Sequence, residues 1–495
     1  MALYWFRKSL RVFDNNSLYN LLEDTNPKFL ICLYIIDPIE LTKLGENRKR
    51  FLFESLHCLD KNLKKHSNRL VILKGNPISI LNKLIKKYKV SYLGYEFDTE
   101  PYHISLDKKL PKIETVVSYG HTLYDADEVL EMCKNELPKS IASYAKLVKS
   151  IPIADPVKLG KLPNPPPRLE SGLNPNKLIK STKCLLKSTY PKHPKGEFSN
   201  CIYFIGGEDE GIRRFDEYIK HKSVVKNFNK PQSHPTNLDH VASIKGSTTG
   251  ISPYLKHGCL SIRYVYKKLS KINKKSSVPF QSTLIGQLLW REYFYFMSYA
   301  VKNFHKQSNS LSRDFGYSYR RDKKFQAWYN GMTGYPWIDA LMRQLHLHGW
   351  MHHLGRHCVA CFLTRGDLYK HWELGRDVFD ELLVDDDYAM NNANWMWVSA
   401  SAFFTGYTKV YSPIGFGKKT DPNGDFIRHF VPELAKFPKK YIYEPWTAPA
   451  DIQEECECII GSDYPEPIVD HSKVVPKNMA KIKKSWNKKK SDFKI

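Results

Sequence analysis

Five short apolar runs alternate with helix-patterned stretches over about the first 130 residues, and no other feature restricts the fold as much. The runs are Leu3–Arg7, Phe29–Ile36, Leu70–Leu73, Ser91–Phe97 and Glu114–Val117. Between two of them, Leu52, Leu56, Leu59 and Leu63 recur at helical spacing within Arg48–Lys64. Strands separated by helices predict a parallel, doubly wound α/β domain, with ligands expected at the carboxyl ends of its strands. No GxGxxG lies in this stretch, so a dinucleotide fingerprint is missing.

The texture changes further along. Nine of the 29 prolines fall between Pro152 and Pro194, which predicts a long connector wrapped along the surface. After about Asn227 the pattern is helical and aromatic, with helices expected over Gln281–Ala300, Trp337–Gln344, Met351–Thr364 and Val378–Leu383. The expected division is an α/β domain over 1–130, an extended interdomain linker over 131–226, a large all-helical domain over 227–472 and a basic flexible tail over 473–495. Nine lysines and a single acid lie in that tail, and its run KIKKSWNKKK fits a nuclear import signal.

Charge narrows the partners. Seventy-six Lys and Arg against 51 Asp and Glu give a formal net charge of +25, a field that attracts nucleic acid. Arg7, Lys8 and Arg11 interrupt any signal peptide core, and the longest apolar run, Phe29–Ile36, is too short to span a bilayer. Ten cysteines at irregular spacing read as reduced intracellular thiols.

The densest chemistry lies between Trp328 and Phe404. Six of the ten tryptophans fall between Trp328 and Trp397, and five histidines between His346 and His357. A single buried Trp is ordinary core, but a helical domain does not need this many indoles for stability. His353 and His357 sit four apart, as in HExxH. Leu354 stands where the motif needs Glu, Arg356 lies in the turn between them, and the Cys358/Cys361 pair has no second pair, so no metal is expected. Acid–base work at the rim of a pocket suits the two histidines better, against the plainer reading of polar helix-face residues. Asp385, Asp386 and Asp387 precede Asn391, Asn392 and Asn394 beside Trp395, a set suited to the edge and faces of a planar heterocycle. Buried, Asp385 needs a cation, and Arg356 is the nearest by element. The small-residue loop Ser247–Ser252 opens a helix and offers hydroxyls and amides to a phosphate, although it fits no Walker pattern.

These residues lie in strings that resemble the successive signatures of the photolyase/cryptochrome family. In order they are YWFRKSLRVFDN, STTGISPYLKHGCLS, GQLLWREYFYF, TGYPWIDALMRQL, GWMHHLGRHCVACFLTRGDL and DDDYAMNNANWMWVSASAFF, and the likeness extends to about Pro449. The resemblance implies an α/β domain able to hold an antenna chromophore (a deazaflavin, a folate or none) and a helical domain enclosing FAD. Carried over by position, Thr248, Thr249 and Ser252 match the phosphate loop of the FAD site. Gln287, Trp290 and Arg291 match the flavin and lesion pocket, and Arg356 with Asp385 the ion pair against the flavin ring. Asp387 matches a residue at the flavin's polar edge and Asn391 one near its N5.

Branch follows from details. Gln287, His353 and His357 resemble the (6-4) photolyases and animal cryptochromes rather than photolyases of cyclobutane dimers. The string KVYSPIGFGKKTDPNG, with Lys409 and Tyr411, is most similar to the (6-4) photolyases. The resemblance therefore implies light-driven repair of (6-4) photoproducts in UV-damaged DNA by a monomeric flavoenzyme, and the basic tail directs the expectation to the nucleus. In it His353 is the proton donor assisted by His357, while Trp290, Trp397, Lys409 and Tyr411 contact the DNA. The alternatives are an animal-type cryptochrome, a cyclobutane-dimer photolyase, and a basic nucleic-acid-binding protein, the last leaving the Trp–His–Asp–Asn cluster unexplained. Trp395 and Trp372 match the first two members of the family's electron-transfer chain. The third position is Ser318, flanked by Tyr317 and Tyr319, and Tyr369 replaces a further tryptophan of many animal relatives, so either the chain ends on tyrosine (Tyr319 or Tyr369) or photoreduction is inefficient.

Overall fold

The computed structural model describes residues 1–134, 136–182, 204–229, 249–272, 278–403 and 409–488. The five apolar runs form one parallel sheet: β1 (Ala2–Phe6), β2 (Leu30–Ile36), β3 (Leu70–Lys74), β4 (Tyr92–Glu96) and β5 (Glu114–Ser118). Their spatial order is β3-β2-β1-β4-β5, with Ala2 opposite Leu30 on one side and Tyr92 on the other. All five residues of β1 are buried, which is why the run is continuously apolar instead of alternating. Strand order reverses between β1 and β4, and the crevice at their carboxyl ends is where a doubly wound sheet holds ligands.

Asparagine and aspartate side chains start the helices on this sheet: Asn15 accepts from Leu18 N, Asn76 from Ser79 N and Asp37 from Ile39 N. The helix Asn16–Thr25 lies so close to the sheet that a Cβ at Gly94 would meet Leu21 Cδ2 at 2.7 Å. Glu46–Lys65 buries Leu52, Leu56, Leu59 and Leu63, and carries the contact to the helical domain. At its start Gly45 N donates to Glu381 O (2.8 Å) and Arg48 pairs with Asp380 (3.0 Å).

The stretch expected to be an extended linker is only partly so. It runs along the sheet, where Leu30 N bonds to Asn164 O and Leu173 N to Ile72 O, but it also forms helices Ile141–Leu147, Pro175–Ser181, Glu208–Lys220 and Lys222–Asn227. Glu208 accepts from the amides of Val12 and Phe13, while Phe215 and Tyr218 enter the main core. The tail also differs from expectation. His471–Lys488 is a helix, because Val475, Met479, Ile482 and Trp486 recur at helical spacing among the lysines. Ile482 is buried against Phe315 and Tyr317, and Trp486 lies parallel to Phe315. Residues 489–495, the end of the expected flexible tail, lie outside the described residues.

In the helical domain the expected boundaries shift for local reasons. Thr283 accepts from Gly286 N, so the helix expected from Gln281 begins at Leu284, behind a tight turn at Phe280–Ser282. Pro336–His348 stops at Gly349, whose φ of +63° suits glycine. His352 then caps His353–Cys361 by accepting from Leu354 N, and backbone geometry leaves the helical region at Thr364. No helix among the described residues is long and apolar enough to cross a membrane.

Candidate flavin and substrate site

Arg356 lies in the nine-residue helix His353–Cys361. Its Nε donates to Met351 O (2.7 Å) and its Nη2 to Asp385 Oδ2 (2.9 Å). The Ser252 hydroxyl donates to the same oxygen at 2.7 Å. Ser252 opens a five-residue helix, so the loop's hydroxyl is already committed to Asp385. Thr249 is half-buried nearby in sequence, and Thr248 lies outside the described residues.

Asp387 caps the helix Tyr388–Val398, its Oδ1 accepting from Ala389 N and Met390 N. Its other oxygen accepts from the Tyr295 hydroxyl, which also lies 2.7 Å from His121 Nε2. Burial and then the Asp387 charge hold the Tyr295 hydroxyl well above its ordinary pKa, and burial holds His121 neutral. Arg291 covers the Tyr295 ring at 4.5 Å and pairs with Glu292 (2.8 Å). Asn391 donates to Arg376 O at 3.0 Å. Three buried polar atoms here take no hydrogen bond among the described residues: Asp385 Oδ1, Arg291 Nη2 and Trp395 Nε1. Buried polar groups are almost always satisfied, so each of these open atoms suits a polar partner from a bound group.

Towards the expected substrate side, Trp290 and Trp397 meet edge to face, with ring centres 5.2 Å apart at 76°. Tyr411 brings its hydroxyl to 3.2 Å from His357 Nδ1. The rings of His353 and His357 lie 6.5 Å apart and nearly perpendicular, with His352 packed against His353 at 4.3 Å. Gln287 turns its amide to Gln281 O (2.9 Å), and Lys409 is exposed.

Trp395 and Trp372 are both buried, and Trp372 Nε1 donates to Gln307 Oε1 at 2.7 Å. The sequence offered two tyrosines as the outer member, and the structure separates them. Tyr319 is 55% exposed and stacks on His371 with ring centres 3.8 Å apart, and His371 in turn lies 5.7 Å from Trp372. Tyr369 instead packs on buried Tyr317, donates to Phe315 O and lies under Lys481.

One set of residues escaped the sequence reading. A cavity of about 810 Å³ opens at the carboxyl ends of β1 and β4 and reaches Asn391. Lys8, Glu40, Glu100 and His103 line its α/β side. Asp98 and Glu40 flank His103; burial alone pushes the imidazole pKa down, yet these two carboxylates raise it to about 10. Strand order pointed to this crevice, but Lys8 and Glu40 lie too far in sequence from Glu100 and His103 for a motif to link them.

Family comparisons agree with this architecture. Residues 2–166 match the family described as DNA photolyase, and residues 284–484 match the FAD binding domain of DNA photolyase. A (6-4)DNA photolyase of Arabidopsis thaliana is 42% identical over 95% of this chain and 86% of its own length. The chain belongs to the photolyase/cryptochrome family. Another relative in that family, Cryptochrome-1 of Erithacus rubecula, is 37% identical over 98% of the chain and 78% of its own length. Among solved structures, a class III photolyase from Agrobacterium tumefaciens superposes with a TM-score of 0.78 at 27% identity, over 98% of each chain. A cryptochrome of Synechocystis gives 0.81 at 25%, over 97% of this chain and 98% of that one. The helical domain is therefore an FAD-binding domain of the photolyase type.

Proposed function

We propose that this chain is a (6-4) photolyase, a light-driven lyase that restores (6-4) pyrimidine–pyrimidone photoproducts in UV-damaged DNA. The observation that carries the reading is the helix His353–Cys361: it holds Arg356 against Asp385 and presents His353 and His357, with Tyr411 bonded to the latter. FAD, when bound and fully reduced, supplies the photoexcited electron. The protein's own groups do the rest. The net charge of +25 draws in the phosphates, and the extruded lesion leaves the base stack for the pocket. The perpendicular indoles of Trp290 and Trp397 offer an edge and a face to its bases, and Lys409 a cation to the strand. His353 delivers a proton to the lesion so that the transferred group returns to its own base, and the restored bases then give up the electron and the proton again, with no net redox change. When the Tyr411 hydroxyl donates to His357 Nδ1, a neutral His357 carries its proton on Nε2, where it can pass to the His353 side. The (6-4) relative at 42% identity supports the choice of lesion, and the basic run over 481–490 supports action in the nucleus.

His353→Ala tests this directly. Repair should be lost with FAD content unchanged, whereas loss of FAD would make His353 a structural residue. The second reading is a cryptochrome that signals without repairing, favoured by the Cryptochrome-1 relative covering 98% of the chain.

A further inference from the structure

His121 belongs to the α/β domain, in the loop just after β5, yet its side chain reaches the helical domain. The loop is held from both sides. Arg11 Nη2 donates to Gly120 O (3.0 Å), and Leu123 N donates to Glu292 Oε2 (2.6 Å) on the helix Leu284–Ala300. Between these fixings the His121 ring meets Tyr295 edge to face, with ring centres 5.3 Å apart, and its Nε2 lies 2.7 Å from the Tyr295 hydroxyl. The same hydroxyl bonds to Asp387 Oδ2, while Asp387 Oδ1 accepts from Ala389 N and Met390 N. His121, Tyr295 and Asp387 are all buried.

Chemistry assigns the protons in this chain. A phenol has one proton, and Tyr295 gives it to Asp387, so the phenol oxygen accepts from His121. Burial, followed by the charge of Arg291, holds the imidazole neutral, and a neutral ring that donates from Nε2 has no proton on Nδ1. Hydrogen bonding therefore runs one way, from His121 through Tyr295 to the carboxylate. Arg291 covers the Tyr295 ring at 4.5 Å and helps to fix it. Burying such polar groups carries a desolvation cost that an apolar pair would not, so packing of the two domains gives no reason for the chain. Each bond in a chain polarises the next. Asp387 then carries less negative charge than a carboxylate bonded at Oδ1 alone.

We propose that His121 and Tyr295 are positioning residues for the flavin, through which the α/β domain orients Asp387 and lowers the negative charge it presents to FAD. The proposal rests on the place of Asp387 at the flavin's polar edge, and it holds for repair and for signalling alike. Reduced flavin is more electron-rich than oxidised flavin, so charge withdrawn from Asp387 favours the reduced form, the one that donates the photoexcited electron.

The test uses the full-length, FAD-loaded chain, with the two-electron midpoint potential of the flavin measured in the dark by spectroelectrochemical titration. Tyr295→Phe keeps the ring but removes the donor to Asp387. It should weaken binding of reduced relative to oxidised flavin about tenfold, a shift of ~30 mV to more negative potential. His121→Leu should shift the potential the same way by less, and His121→Gln, which keeps an N–H donor, should stay near the wild-type value. Adding His121→Leu to Tyr295→Phe should change nothing further, because His121 acts through the phenol. Asp387→Asn removes the charge itself and should shift the potential to more positive values. Unchanged potentials in Tyr295→Phe and His121→Leu, with Asp387→Asn shifted, overturn the proposal and leave the chain as a staple between domains. An unchanged potential in Asp387→Asn would place Asp387 away from the flavin, which also overturns it. If Tyr295→Phe holds no FAD, the comparison of His121→Leu with His121→Gln decides, and equal potentials count against the proposal.

Discussion

Asp385→Asn separates an internal ion pair from a flavin contact. One carboxylate oxygen accepts from Arg356 (2.9 Å) and Ser252 (2.7 Å), and the other is buried without a hydrogen-bond partner among the described residues. Asparagine keeps the shape and one acceptor oxygen but removes the charge, and it turns half of the group into a donor. A hydrogen bond to a charged partner contributes ~1.5–3 kcal/mol. The Arg356 side chain is 25% exposed, so solvent screening puts the cost to the flavin-free fold at the low end, about 1.5 kcal/mol. If the open oxygen faces the flavin, a second loss of about 1.5 kcal/mol appears only when FAD binds, roughly a tenfold weaker Kd. Urea unfolding of the flavin-free protein measures the first loss and a fluorescence titration with FAD the second. Reduced stability with an unchanged FAD Kd would refute the flavin role and leave Asp385 as a structural partner of Arg356.

Three further outcomes follow from the same geometry. Ile482→Ala should cost about 2–3 kcal/mol of local stability, because its side chain is fully buried, and amide exchange over 471–488 should accelerate; unchanged exchange would restore the flexible tail. Burial lowers the pKa of His371 to about 4, against an ordinary 6.5. The unfolded chain then takes up this proton first, so stability is full above about pH 6.5 and falls by at most about 3 kcal/mol towards pH 4. His371→Gln should flatten that part of the stability–pH curve, and an identical curve would contradict the assignment. Tyr319→Phe should slow light-driven reduction of oxidised flavin more than Tyr317→Phe or Tyr369→Phe, since Tyr319 alone of the three is exposed and stacked towards Trp372. Normal kinetics with all three replaced would rule out a tyrosine end to the chain.

Much of this architecture was legible because burial leaves a strong mark on sequence. Strands buried on both faces, such as Ala2–Phe6 and Leu30–Ile36, read as unbroken apolar runs, and each observed strand end lies within one residue of the expected one. The meeting of Arg356 and Asp385 was foreseeable from electrostatics, since a buried carboxylate requires a cation. Asp387 was less legible: its carboxylate caps a helix and takes the Tyr295 hydroxyl, contacts set by packing between distant elements. The terminal helix was hidden because its lysines outnumber Val475, Met479, Ile482 and Trp486. Glu40 lies far in sequence from Asp98, Glu100 and His103, and only the β1–β4 crevice brings it to them.

Repair itself is the central claim. Purified protein with its flavin reduced, mixed with DNA bearing a single (6-4) photoproduct and illuminated with blue light, should restore the intact pyrimidines, and DNA bearing a cyclobutane dimer should stay unchanged. No restoration of the (6-4) lesion would contradict the account in favour of a signalling cryptochrome, and restoration of the cyclobutane dimer instead would contradict it in favour of the other photolyase class.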